Sequence, residues 1–293
     1  MLVLAAGSAA AQQERIDFDH LSLGDGLSQS IIEAIVQDRH GFMWFATEDG
    51  LNRFDGYRFT VFRNEPDNPD SLAYNELKAL HEDRNGVLWV GVFETGLDSF
   101  DPTTHKVVHY RHNPADPTSL GNDTVRSVFE DSAGRLWVGT QGGGLGRLDR
   151  GTNVFHHQPL GEAAGTDDVR AIAEDHDGAI WVGTNGGGLY RLDPLTGEVA
   201  RFANDPEDDG SLADDSVAAI LVDHTGTLWI GTYGGGLDAH DAASGRFIHH
   251  RADPDDPKAL SSDLVSALVE DHQGTIWVGT CLLYTSDAAD ERG

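Results

Sequence analysis

Short apolar runs bounded by turn signals recur along most of the chain, and one stretch, "EDHDGAIWVGTNGGGLYRLDPLTG" from Glu174 to Gly197, sets the pattern. An Asp-x-x-Gly turn leads into "AIWVGT", a triple glycine follows, "LYRLD" returns, and a second turn closes the unit. Runs of this length, rich in branched and aromatic side chains and punctuated by Gly, Asp and Pro, read as strands. In a later copy, "DSVAAILVD" (Asp215 to Asp223) ends in an Asp-x-x-Gly type I turn that makes a hairpin with "TLWIGT". The segments "GLDAHD" and "RFIHHRA" then supply a third and a fourth strand. Each unit therefore predicts four antiparallel strands.

The unit repeats. All six tryptophans, Trp44, Trp89, Trp137, Trp181, Trp229 and Trp277, fall at spacings of 45, 48, 44, 48 and 48 residues. The surrounding text returns as "EDSAGRLWVGTQGGGLGRLD", "VDHTGTLWIGTYGGGLDAHD" and "EDHQGTIWVGT", with looser copies "QDRHGFMWFATEDGLNRFD" and "EDRNGVLWVGVFETGLDSFD". A period in the forties made of short strands is that of a propeller blade, not of a helical solenoid. The expected fold is all-β: a β-propeller of four-stranded antiparallel blades near residues 28–64, 74–113, 122–159, 167–204 and 213–252, with two strands of a sixth near 262–280. Ile16 to Leu23 reads as a lone fourth strand that completes the last blade. A once-per-blade Trp predicts inter-blade core. Four linkers ("NEPDNPDSLAYNE", "NPADPTSLGND", "NDPEDDGSLADD", "DPDDPKALSSD") carry a Ser-Leu or Ala-Leu pair expected to tuck a leucine against the blade edge. The connection "QPLGEAAGTDD" lacks it.

The opening text "GLSQSIIEAIVQDRHGFMWFATEDGLNRFDGYRFTVFRNEPDNPDSL" and the repeated "LWVGTxGGGLxRLD" resemble the two-component regulator propeller repeats, over about Asp17 to Thr280. The resemblance implies an extracytoplasmic, periplasmic sensor domain of a hybrid histidine kinase or diguanylate cyclase. It implies a non-catalytic module that binds a small molecule or oligosaccharide, and a downstream β-sandwich, transmembrane helix and output domain. A homodimer is a further expectation. Rings of this family usually have seven blades, so the ring here is expected to be incomplete, with an exposed blade face.

Both ends depart from the repeat. Residues 1–11, within "MLVLAAGSAAAQQ", join a short apolar run to small residues and lack a basic start; they read as the remnant of a signal peptide or as a disordered scar. Residues 16–280 are then the propeller, and 281–293 ("CLLYTSDAADERG") leave the pattern in mid-blade, as translated adapter sequence would.

A net charge of -29, from 49 acidic against 20 basic residues, argues against nucleic acid as a partner. Cys281 is the one cysteine, so no internal disulfide is possible. No catalytic residue, cofactor or metal ligand is assigned. The pairs His156-His157 and His249-His250 fall in fourth strands, where neighbours point to opposite faces, and read as blade-edge surface residues. The repeated turns Asp83 to Gly86, Asp131 to Gly134, Asp175 to Gly178, Asp223 to Gly226 and Asp271 to Gly274 read as hairpin closures. Asp205, Asp208, Asp209, Asp214 and Asp215, and again Asp253, Asp255 and Asp256, raise a calcium question without matching an EF-hand.

With the first strand innermost, the loop entering it and the loop between the second and third strands share one face. The varying residue before the glycines then lies near the channel mouth: Glu48, Phe93, Gln141, Asn185 and Tyr233. Amides, a carboxylate and aromatics suit a sugar, and the alternative is an unconstrained loop tip. Two other functions stay open: a secreted propeller glycoside hydrolase or lyase, and a stand-alone interaction propeller.

Overall fold

The computed structural model describes residues 2–4 and 20–281. Within them the chain forms five four-stranded antiparallel sheets and a sixth sheet of three strands. The fourth blade is representative: Val169–Glu174, Ile180–Thr184, Leu189–Leu192 and Val199–Phe202, paired in that order. The other first strands are Ile32–Gln37, Leu77–Glu82, Val125–Glu130, Val217–Val222 and Val265–Glu270. Each first strand packs against the first strand of the next blade, so these strands line the inner edge of the array.

Burial follows from that stacking. The second strands Leu88–Val92, Leu136–Thr140 and Ile180–Thr184 are buried throughout, because both of their faces are covered by neighbouring blades. Trp44, Trp89, Trp137, Trp181 and Trp229 each enter the core of the blade after their own: Trp44 packs with Leu77, Leu88 and Phe100, and Trp181 with Val217, Leu228 and Phe247. The glycine of "WVGT" makes room for this docking. A Cβ on Gly183 would stand 2.4 Å from Cγ1 of Val217 in the next blade.

The Asp-x-x-Gly turns are clamps as well as turns. The Asp175 Oδ1 accepts the backbone N–H groups of Asp177 and Ala179 at 3.0 and 2.9 Å, and Oδ2 accepts the Trp181 indole N–H at 2.9 Å. All six tryptophans donate to such an aspartate at 2.7–3.0 Å. The sixth turn, Asp38 to Gly41, has a phenylalanine after its glycine and was not among those singled out from sequence. The linker leucines Leu72, Leu120, Leu212 and Leu260 are buried as expected, and Leu160 of the divergent connection is buried too.

The strand expected over Ile16 to Leu23 is corrected where it can be seen. His20 to Ser22 are irregular and Leu23–Asp25 is a 3-10 turn capped by Ser22, while residues 16–19 lie outside the described residues. The third strand of the sixth sheet is instead Leu2–Leu4, antiparallel to Ile276–Thr280. Of the tail 281–293, only Cys281 lies within the described residues, and it is exposed.

Among the described residues, the first strands of the first and sixth blades do not pack on one another as the other neighbours do. Both terminal faces are apolar. Ile31, Ile32 and Ile35 are 48, 38 and 53% exposed on one, and Val269 is 58% exposed on the other, beside a groove that includes Trp277.

Candidate ligand-binding site at the inner mouth

The five residues singled out from sequence follow the second strands on a backbone that the repeat holds rigidly. The Asn185 N–H bonds the carbonyl of Asp168 before its own first strand at 2.9 Å, and Gly186 and Gly188 donate to the Asp215 carbonyl of the next blade at 3.0 and 2.9 Å. The Thr184 hydroxyl closes the loop on the Gly188 carbonyl at 2.8 Å. Gly188 has φ of +89°, and a Cβ there would meet the Phe202 carbonyl at 2.4 Å, so glycine is required. Gln141 and Tyr233 are placed in the same way, by N–H groups to Thr124 and Ser216 at 2.9 Å each. Phe93 donates likewise to Glu76 at 2.9 Å, although its loop reads Glu94-Thr95, with Glu94 taking the left-handed φ of 53°. Glu48 occupies the same position in the first blade, after Thr47, and is half-buried.

In blades three to five the glycine loop thus fixes the backbone and leaves one side chain to vary, whereas the loops of the first two blades also carry Asp49, Glu94 and Thr95. Gln141 and Tyr233 are exposed, whereas Phe93 and Asn185 are half-buried.

A second set of side chains at this mouth was not legible as a site. In every blade the pairing of first and second strands shifts register near its start, between Ile32 and Ala34, Leu77 and Ala79, Val125 and Ser127, Val169 and Ala171, Val217 and Ala219, and Val265 and Ala267. Such a bulge re-aims the side chain of the extra residue. Those residues are Glu33, Lys78, Arg126, Arg170, Ala218 and Ser266. Lys78 reaches Glu33 at 2.6 Å and Glu76 at 2.9 Å, and its ammonium lies 5.5 Å from the centre of the Phe93 ring. Burial works against that charge, yet the hydrogen bonds to Glu33 and Glu76 hold its pKa above the ordinary lysine value. Arg126 donates to the side-chain oxygen of Gln141. Arg170 lies 3.4 Å from Asp168, which also accepts from the Asn185 amide at 2.9 Å, and its guanidinium stacks 5.6 Å over Tyr233 of the next blade.

Two acid-base pairs elsewhere have a different task. His109 contacts the fully buried Asp98 at 2.6 Å and the Pro69 carbonyl at 3.2 Å, and His249 contacts Asp238 at 2.6 Å and the Asp209 carbonyl at 2.9 Å. Burial raises the pKa of both aspartates and the histidines offset part of that rise. Each pair ties a linker to a third strand, since the aspartates also accept the N–H of Ala73 and Ala213. This corrects the reading of His249 as a blade-edge surface residue: its side chain is only 20% exposed. His156 and His157 are exposed, and His250 is half-buried against Trp229. The linker aspartates cap turns instead of converging: Asp205 accepts from Glu207, Asp208 from Gly210 and Arg246, and Asp215 from Asn204.

The family model described as two component regulator propeller matches residues 26–49, 119–142, 165–186, 211–234 and 259–281. The second blade, with its altered loop, lies outside those segments. A histidine kinase P4 from Formosa agariphila is 42% identical over 66 residues, which are 22% of this chain and 5% of that protein. The extracellular domain assigned to a hybrid two-component system of B. thetaiotaomicron superimposes with a TM-score of 0.71 at 26% identity, over 89% of this chain and 40% of that one. Virginiamycin B lyase from Staphylococcus aureus shares 14% identity at a TM-score of 0.61, over 85% of this chain and 80% of the lyase, a likeness of fold alone. This chain therefore spans less than half of the signalling proteins it resembles. No helix among the described residues is long and apolar enough to cross a membrane. The chain is a β-propeller that contains five two-component regulator propeller repeats.

Proposed function

We propose that this propeller is the periplasmic ligand-sensing part of a transmembrane signalling protein and performs no chemistry itself. The observation that carries the reading is the inner mouth, where one backbone geometry presents unlike side chains, Gln141, Asn185 and Tyr233 among them, beside one another. An amide, a second amide and an exposed phenol with a guanidinium behind it can bond hydroxyls and stack on the C–H face of a sugar ring. A carbohydrate or another small polar ligand fits that chemistry. The likeness to an extracellular domain of a hybrid two-component system supports the location and the signalling role. Downstream β-sandwich, membrane and output domains, and a further blade between the two apolar terminal faces, belong to the same proposal.

Binding of a panel of neutral and acidic oligosaccharides, followed by thermal shift and titration calorimetry, tests it. The expected result is saturable binding that Tyr233→Ala weakens without lowering the melting temperature of the free protein. Binding that no substitution at the mouth affects would refute the site, and turnover of a saccharide would refute the non-catalytic reading.

A further inference from the structure

The bulge residues divide the mouth into unlike sectors. Blade one offers Glu33 and Glu48; blade two neutralises Lys78 between Glu33 and Glu76; blades three and four offer Arg126 and Arg170; blades five and six offer only Ala218 and Ser266. Two adjacent first strands thus carry guanidiniums where the next two carry small residues, and Tyr233, beside the Arg170 guanidinium, is exposed.

The two guanidiniums are incompletely matched. The described hydrogen-bond partner of Arg126 is an uncharged amide, Gln141. Arg170 has Asp168 at 3.4 Å, but that carboxylate is shared with Asn185, whose bond at 2.9 Å is the shorter. Among the described residues, the Nε atoms of both arginines are buried without a partner, as is Oδ1 of Asp168. A protein carrying a net charge of -29 has abundant carboxylates to neutralise an arginine, yet places none on Arg126 among the described contacts.

We infer that the mouth over blades three to five binds an acidic saccharide, with its carboxylate or sulfate held by the terminal nitrogens of Arg126 and Arg170 and its ring set against Tyr233. The inference rests on the sensing function proposed above and narrows the ligand class. A planar guanidinium matches a carboxylate or sulfate edge in geometry as well as charge. The negative charge of the rest of the molecule does not forbid it, because surface charges more than about 8 Å away are largely screened at physiological salt. Gln141 and Asn185 then bond hydroxyls that a neutral sugar also has, so the arginines decide between acidic and neutral ligands.

The test is calorimetric titration of the 293-residue chain with oligogalacturonides, with a sulfated galactan oligosaccharide, and with neutral galactan oligosaccharides of equal length. The inference expects one acidic series to bind at least tenfold more tightly than the neutral one, and to weaken as salt rises. Arg126→Gln and Arg170→Gln should each weaken acidic binding about tenfold to a hundredfold, the range of a charged hydrogen bond. Arg58→Gln, a change on an exposed turn, should leave it unchanged. Arg126 would give up one bond to an uncharged amide and Arg170 a 3.4 Å contact with Asp168, so both variants should lower the melting temperature only slightly; Arg126→Lys, which retains charge without the planar fork, should fall between parent and Gln in acidic-ligand affinity. Equal affinity for neutral and acidic series, or full acidic binding by both Gln variants, overturns the inference and leaves saccharide sensing standing. Absence of binding by all three series overturns both.

Discussion

At the scale of single residues, stability is concentrated in groups that each close several bonds. Asp175 satisfies two turn N–H groups and the Trp181 indole, and also meets Arg191 at 3.2 Å. Asp175→Ala leaves the Trp181 N–H, which belongs to a ring only 3% exposed, without a partner, so a loss of about 2–4 kcal/mol is expected by urea denaturation. Asp177→Ala, on the exposed tip of the same turn, should stay within about 0.5 kcal/mol. If the two cost the same, the clamp is not what holds the hairpin. His240 gives a pH-dependent counterpart. It sits against Trp181, Phe202 and Phe247 with ring centres 5.6, 5.8 and 5.1 Å away, its Nε2 has no partner among the described residues, and burial pushes its pKa down. The unfolded chain therefore takes up this proton first, so the stabilisation is complete above pH about 6.5 and is lost as pH falls below it. His81 is shifted the same way by burial, so the comparison must be with His240→Phe. Between pH about 7.5 and about 5.5 the parent should lose more unfolding free energy than the variant; equal losses would show that His240 does not titrate as described.

At the scale of strands and blades, the same glycine has different worth in different blades. Gly183 faces Val217 and Ile220 of the next blade at 2.4 and 3.2 Å from a notional Cβ, whereas Gly279 meets only Ala267 of its own blade, at 3.2 Å. Gly183→Ala should cost about 1–3 kcal/mol through overpacking, and Gly279→Ala should stay under about 1 kcal/mol, in matched thermal melts. Similar costs would mean that blade docking does not set the requirement for glycine. Blades were legible because a period in the forties and strand-length apolar runs leave one economical architecture. The position of Glu48, Phe93, Gln141, Asn185 and Tyr233 was legible because strand order alone dictates which loops share a face. Other features were hidden by locality. Leu160 sits in a linker without the usual pair, and its burial depends on the blade it touches. The placement of Arg126 and Arg170 at the mouth depends on a register shift, which apolar alternation does not encode; a charged residue second in four of the six innermost strands, Glu33, Lys78, Arg126 and Arg170, was the available signal. His249 was misjudged because its partner, Asp238, lies on the neighbouring strand and not in the local text.

At the scale of the whole molecule, six similar units produce one unlike feature. Repetition supplies the packing, the clamps and the glycine loops, and these place two variable sets of side chains, the loop residues and the bulge residues, at the inner mouth. The sensing function proposed above needs a ligand that binds one state better than another, and a repeated backbone with interchangeable side chains would supply the recognition half of that requirement. The apolar faces of the first and sixth blades, marked by Ile35 and Val269, are the surfaces on which further blade structure can dock. The central claim is that ligand is read at the inner mouth, and hydrogen exchange measured peptide by peptide, with and without saturating oligogalacturonide, tests it most directly. The account predicts slowed exchange in the loops holding Gln141, Asn185 and Tyr233 and no change in the outermost strands, such as Val199–Phe202. Protection confined to outer strands or linkers, with the mouth unchanged, would contradict it.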